Sequence, residues 1–136
     1  LSAIDILLPN EREAEALSGV AVVDVASAER AARALLARGV HSVVVTLGSR
    51  GALWVPNAET EAVYLAPFDV PQVDATAAGD AFCGVLAAGL AAGLETADAL
   101  RRASAAGALA VTRMGAEPSL PRAAEIEALL SSQPRL

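Results

Sequence analysis

Cysteine and histidine each occur once in the 136 residues, as Cys83 and His41. A single cysteine excludes an internal disulfide and points to a reducing, cytoplasmic setting. One histidine beside it excludes a Cys/His zinc site and leaves any Ser–His or Cys–His relay dependent on His41. Cys83 is read as structural and His41 as surface or core filler. Aromatic residues make up 3%, too few for a base-stacking platform on single-stranded nucleic acid. Positive charge is scarce as well: 10 Lys and Arg against 16 Asp and Glu give a net charge of −6. No footprint for a nucleic-acid backbone is expected from that balance. The longest apolar run, AFCGVLAAGLAAGL (81–94), is broken by glycines and too short to span a bilayer. No basic leader precedes an apolar run near residue 1, so no signal peptide is expected.

What is present is apolar material for a core. Hydrophobic residues make up 54%, much of it alanine, which favours helices and close packing between layers; the length suits one small domain. IDILLP (4–9) reads as a buried strand and NEREAEALSG (10–19) as a short helix with acids in its first turn. SAERAARALLARG (27–39) reads as a helix with Ser27 as N-cap and Gly39 at C′. SVVVTLG (42–48), β-branched and apolar, has the character of a central strand covered on both faces. ALWV (52–55) and EAVYLA (61–66) read as two further strands, and helices are expected near 79–93, 97–113 and 122–131. This order predicts a layered α/β domain. Opening on a buried strand, with few candidates for central strands, it also suggests the second half of something larger.

Four stretches have the composition for chemistry. VDATAAGDAFCG (73–84) sets two carboxylates around small residues at a helix start. A helix beginning near Gly79 leaves the N–H groups of Ala78, Gly79 and Asp80 without intrahelical partners, an anion hole beside a carboxylate. Asp80 would then accept a proton from an attacking hydroxyl, as phosphoryl transfer requires. The same spacing also suits a plain helix cap at Thr76 or Asp80 with packed alanines. VTLGSRG (45–51) runs a strand into a glycine-bounded turn whose N–H groups and Arg50 suit nucleotide phosphates, or which simply closes a hairpin. It lacks the spacing and the lysine of a Walker A loop. In PNEREAE (9–15), Asn10 and Glu13 share a helix-start face suited to hydrated magnesium, or form an ordinary solvated turn. The helix end in TRMGAEPS (112–119) offers carbonyls that, with Asp74, would suit a monovalent cation.

In series these stretches resemble the C-terminal half of the ribokinase and phosphofructokinase-B family of sugar kinases, nearly end to end. The carriers are PNEREAEALSG, VVVTLGSRGALW, VDATAAGDAFCG and ALAVTRMGAEPSLP, the most specific piece being D-A-T-A-A-G-D-A-F. The resemblance implies the C-terminal portion of a three-layer α/β/α fold. The chain would then be, over 1–136, the nucleotide-binding and catalytic half, without the N-terminal sugar-binding half and lid. It implies ATP-dependent phosphorylation of a pentose such as D-ribose, with Asp80 as base and Ala77, Ala78 and Gly79 as the anion hole. Thr46, Leu47, Gly48, Ser49, Arg50 and Gly51 match the nucleotide turn, and Ser104 stands beside the adenine position. Asn10 and Glu13 match the positions associated with phosphate and Mg2+. A monovalent cation, usually K+, would be held around Asp74, Thr76, Ala110, Arg113, Gly115 and Ser119.

Departures from the family pattern are Ala75 and Arg12 for threonines, Cys83 for an asparagine and Ser104 for a histidine or asparagine. Without the sugar pocket, efficient turnover by this chain alone is not expected, because binding energy at the sugar orients the hydroxyl. Expected partners are a small-molecule sugar, ATP and the missing half, with no nucleic acid and no membrane. Uncovered sheet edges predict self-association. The rivals are another sugar or nucleoside kinase of the same fold, and a non-catalytic nucleotide-binding fragment.

Overall fold

The strand and helix patterns that open the chain fold, in the computed structural model, into one sheet with two helices. The strand predicted as buried over 4–9 is half-buried and, among the described residues, pairs only at Ile6–Leu7. The structure describes residues 6–71, 73, 78–112 and 122–133. Contacts divide the chain into two compact units, 1–66 and 67–136. In the first, β1 (Ile6–Leu7), β2 (Ser42–Thr46), β3 (Ala52–Val55) and β4 (Val63–Leu65) lie side by side in that order. β1 pairs parallel to β2, while β2–β3 and β3–β4 are antiparallel. The sheet is therefore mixed. The β-branched run Val43, Val44 and Val45 is fully buried, as expected of a strand with neighbours on both edges. Directly opposed pairs Val43–Val55 and Val45–Leu53 share one face and join the core with the helices α1 (Glu11–Ser18) and α2 (Val25–Leu36).

α2 presents Ala28, Ala31, Ala32 and Leu35 to that core, a 3–4 spacing that places one stripe inward. Burying Leu35 completely contributes roughly 1.5–3 kcal/mol. The predicted N-cap of this helix was one turn too late. Asp24 is the cap, accepting from the Ser27 amide at 2.7 Å, and Ser27 is the third helical residue, its hydroxyl accepting from the Asp24 amide at 3.0 Å. The reciprocal pair satisfies two donors where a serine cap alone satisfies one. That accounts for the earlier start. The predicted strand 42–48 ends at Thr46 because Leu47–Gly51 turns back: Leu47 N–H donates to Gly51 C=O at 2.8 Å.

The second unit is helical. α3 (Ala78–Ala91) and α4 (Thr96–Ala110) form an antiparallel hairpin, and α5 (Ala123–Ser132) packs on α4. Small residues set the approach of α3 to α4. A Cβ on Gly89 would stand 3.2 Å from Ala99 Cβ, and one on Gly107 would stand 3.4 Å from the Ala78 carbonyl oxygen. The core joins Ala81 of α3 to Ala105, Ala106 and Ala110 of α4 and to Ile126 and Leu129 of α5, with Phe68. Gln133 closes the unit by pairing with the Asp69 backbone in both directions, at 2.7 and 2.8 Å. No helix among the described residues is long and apolar enough to cross a membrane.

Candidate active site

In the first unit, the sequence candidates meet at the C-terminal ends of β1 and β2. Thr46 N–H donates to Pro9 C=O at 2.9 Å, and Asn10 bridges to Thr46 in parallel register. The Asn10 turn and the 46–51 turn are thus neighbours beyond the C-terminal ends of adjacent strands, where open α/β sheets place ligands. Asn10 caps α1. Its side-chain oxygen accepts from the Glu13 amide at 2.8 Å, and Glu13 Oε1 accepts from the Asn10 amide at 3.0 Å. One oxygen of each side chain is therefore spent on the fold, and the second carboxylate oxygen of Glu13 is the one suited to a hydrated cation.

The 46–51 turn combines both sequence readings. It closes the β2–β3 hairpin, and it does so through a 3-10 turn over Gly48–Arg50. Such a turn leaves its leading N–H groups, those of Gly48 and Ser49, without acceptors inside it. Gly48 has φ 59° and Gly51 has φ 93°, conformations that favour glycine. A Cβ on Gly48 would meet nothing within 4 Å, so its backbone is open to approach. Leu47 is buried, anchoring the turn by its side chain. Arg50 is already engaged. Its guanidinium pairs with the Glu11 carboxylate and donates to Val23 C=O at 3.1 Å.

In the second unit, α3 starts at Ala78, so Ala78, Gly79 and Asp80 occupy its first turn. Their N–H groups lie at the positive end of the helix, and the site above Gly79 is open, with nothing within 4 Å of an added Cβ. Asp80 is exposed. The antiparallel crossing at Gly107 sets this positive end beside the closing, carbonyl-rich end of α4, where Ala110 is the last helical residue. There Val73 N–H donates to Val111 C=O at 2.6 Å. The chain just before Asp74 is thereby brought to that helix end. Ser104 lies half-buried on α4. A groove of about 650 Å3 lined by Val85, Gly89, Leu94, Arg101 and Ile126 lies toward the other end of the hairpin. Asp74, Thr76, Ala77, Arg113, Gly115 and Ser119 lie outside the described residues. No cluster of three or more His, Cys, Asp or Glu side chains suited to a metal occurs among the described residues.

Sequence reasoning missed the groups that hold the 46–51 turn. Tyr64 Oη donates to the Arg50 carbonyl, and Glu11 takes the Arg50 charge. The only sign of them was an acid in the first turn of α1 and a tyrosine in an edge strand. Asp24, also near Arg50, has its carboxyl held below the usual range, chiefly by hydrogen bonds from Ser27 and further by Arg30 and Arg50.

Comparison with known proteins matches residues 1–123 to the family described as pfkB family carbohydrate kinase. The chain is 40% identical over 121 residues to a ribokinase of Haemophilus influenzae, covering 89% of this chain and 39% of that protein. It superposes on ribokinase of Arabidopsis thaliana, complexed with ribose and ATP, with TM-score 0.87 and 34% identity, over 95% of this chain and 41% of the other. Phosphofructokinase-2 of Escherichia coli in complex with potassium gives TM-score 0.82 at 26% identity, over 95% and 41%. The chain spans about two fifths of the length of the relatives it matches.

Proposed function

Because this chain belongs to the pfkB family of carbohydrate kinases, we propose that it forms the nucleotide-binding and catalytic part of a ribokinase-like enzyme. That enzyme transfers the γ-phosphoryl group of ATP to the primary hydroxyl of a pentose such as D-ribose. The observation that carries this reading is the start of α3, where the exposed Asp80 carboxylate stands in an open first turn whose leading N–H groups have no partners within the helix. Asp80 takes the proton from the hydroxyl as its oxygen bonds to the γ-phosphorus and the bond to the β,γ-bridging oxygen breaks, releasing ADP. The first-turn N–H groups, including those of Ala78 and Gly79, stabilise the charge on the transferring group, with Ala77 completing the hole.

The 46–51 turn holds the nucleotide, with Ser104 near the base. Asn10 and Glu13 suit Mg2+, which supplies neutralisation of phosphate charge when bound. Asp74, Thr76, Ala110, Arg113, Gly115 and Ser119 suit K+; Ala110 is the last residue of α4, and a helix end leaves its closing carbonyls without intrahelical partners. The remaining part of the kinase supplies the sugar pocket. β4, with Val63 38% and Tyr64 44% exposed, offers an edge for self-association, which light scattering on the isolated chain would detect.

Calorimetric titration of the chain with a non-hydrolysable ATP analogue, with Mg2+ in potassium buffer, tests the reading. Saturable one-to-one binding is expected. Absence of binding means that these residues do not assemble a nucleotide site by themselves.

A further inference from the structure

We propose that Arg50 positions the 46–51 turn instead of contacting phosphate, as the centre of a Glu11–Arg50–Tyr64 clamp. The inference rests on the nucleotide reading of that turn. Three elements converge on this one residue. Its guanidinium is paired to Glu11 at the first position of α1, and the same group donates to Val23 C=O, just before the cap of α2, at 3.1 Å. Its carbonyl accepts from Tyr64 on β4. Its amide donates to Leu47 C=O at 3.1 Å inside the turn. The side chain and carbonyl tie the turn to α1, to the approach to α2 and to β4, while the amide closes the turn on itself.

Glu11 directly precedes the Arg12–Glu13 step and follows Asn10, so the clamp also joins the 46–51 turn to the Asn10–Glu13 capping pair. An arginine facing phosphate needs its donors free for bidentate contact. Here two of its nitrogens already have oxygen acceptors within the unit. The chemistry left for the ligand is that of the turn's backbone N–H groups, and the clamp holds their geometry.

The two roles make opposite predictions for Glu11→Gln. If Arg50 were a phosphate ligand, removing the competing carboxylate would free it and tighten ATP binding. If Arg50 is the clamp, Glu11→Gln weakens binding of the ATP analogue roughly two- to five-fold, the scale of an exposed ion pair. Tyr64→Phe shifts it in the same direction, and Glu11→Gln/Arg50→Gln is no weaker than Arg50→Gln alone. Tighter binding by Glu11→Gln, or additive losses in the double variant, overturns the proposal. Hydrogen exchange at the Leu47, Arg50 and Gly51 amides is measured on the same proteins. Faster exchange in Glu11→Gln supports the clamp and unchanged exchange overturns it, even if the parent chain binds no nucleotide, a result that would count against the nucleotide reading alone.

Discussion

The two units hold their candidate residues in opposite ways. In the first, Asn10, Glu13 and the 46–51 turn are tied into the fold by reciprocal hydrogen bonds, strand register and the ion pair to Glu11. In the second, Asp80 stands exposed on a helix whose placement depends on close contact between small residues. The first unit spends polar groups on holding shape. The second leaves Asp80 exposed, and its own polar ties, Gln133 to the Asp69 backbone and Arg102 to Glu127, are made by other residues. Binding backbone must be rigid before the ligand arrives, whereas a proton acceptor needs a free oxygen.

Asp80→Asn puts this contrast to its hardest test, with the largest expected effect. In a full-length kinase carrying this chain, kcat falls by about 100- to 10,000-fold while nucleotide affinity is retained, as steady-state kinetics and calorimetry would read. Unchanged turnover would leave Asp80 an ordinary first-turn acid.

Packing in the second unit comes next. Gly89→Val pushes a side chain into Ala99 and Leu94, and the expected loss is about 1–3 kcal/mol in urea unfolding. Gly84 lies on the same helix with nothing within 4 Å of an added Cβ. Gly84→Ala is expected to stabilise by about 0.5–1 kcal/mol, because it removes only backbone freedom from the unfolded chain. Equal responses at the two glycines would mean that the helices are not held by that close approach.

The smallest effect sharpens the comparison from the first unit's side. The Asp24 carboxyl is more acidic folded than unfolded, so its contribution is complete above its ordinary value of 3.8. It is lost as pH falls through the lowered folded value. The stability gap between the parent and Asp24→Asn, followed by urea unfolding against pH, should hold at neutral pH and close below that range.

Local pattern made much of this fold legible. The run Val43–Val45, the acids in the first turn of α1 and the glycines after the helices are short-range signals, and each led to the right element within a few residues. α2 closes on Ala37 as its C-cap, so Gly39 stands one place beyond the predicted C′ position. The Asp24 cap was misplaced because two capping residues three apart compete for the role, and only their mutual hydrogen bonds choose between them. Of the candidate site, the residue types and order were readable, since D-A-T-A-A-G-D at a helix start and a glycine-bounded strand end are local features.

The sequence by itself determined the elements, the place of Asp80 at a helix start and the family resemblance. Those depend on residues a few positions apart. The tertiary structure alone decided that Asn10 lies beside Thr46, that Arg50 answers to Glu11 and Tyr64, and that Gly107 sets the start of α3 against the end of α4. These are meetings between residues far apart in the chain, and a guanidinium's partner is settled only by which oxygens the folded backbone carries within its reach.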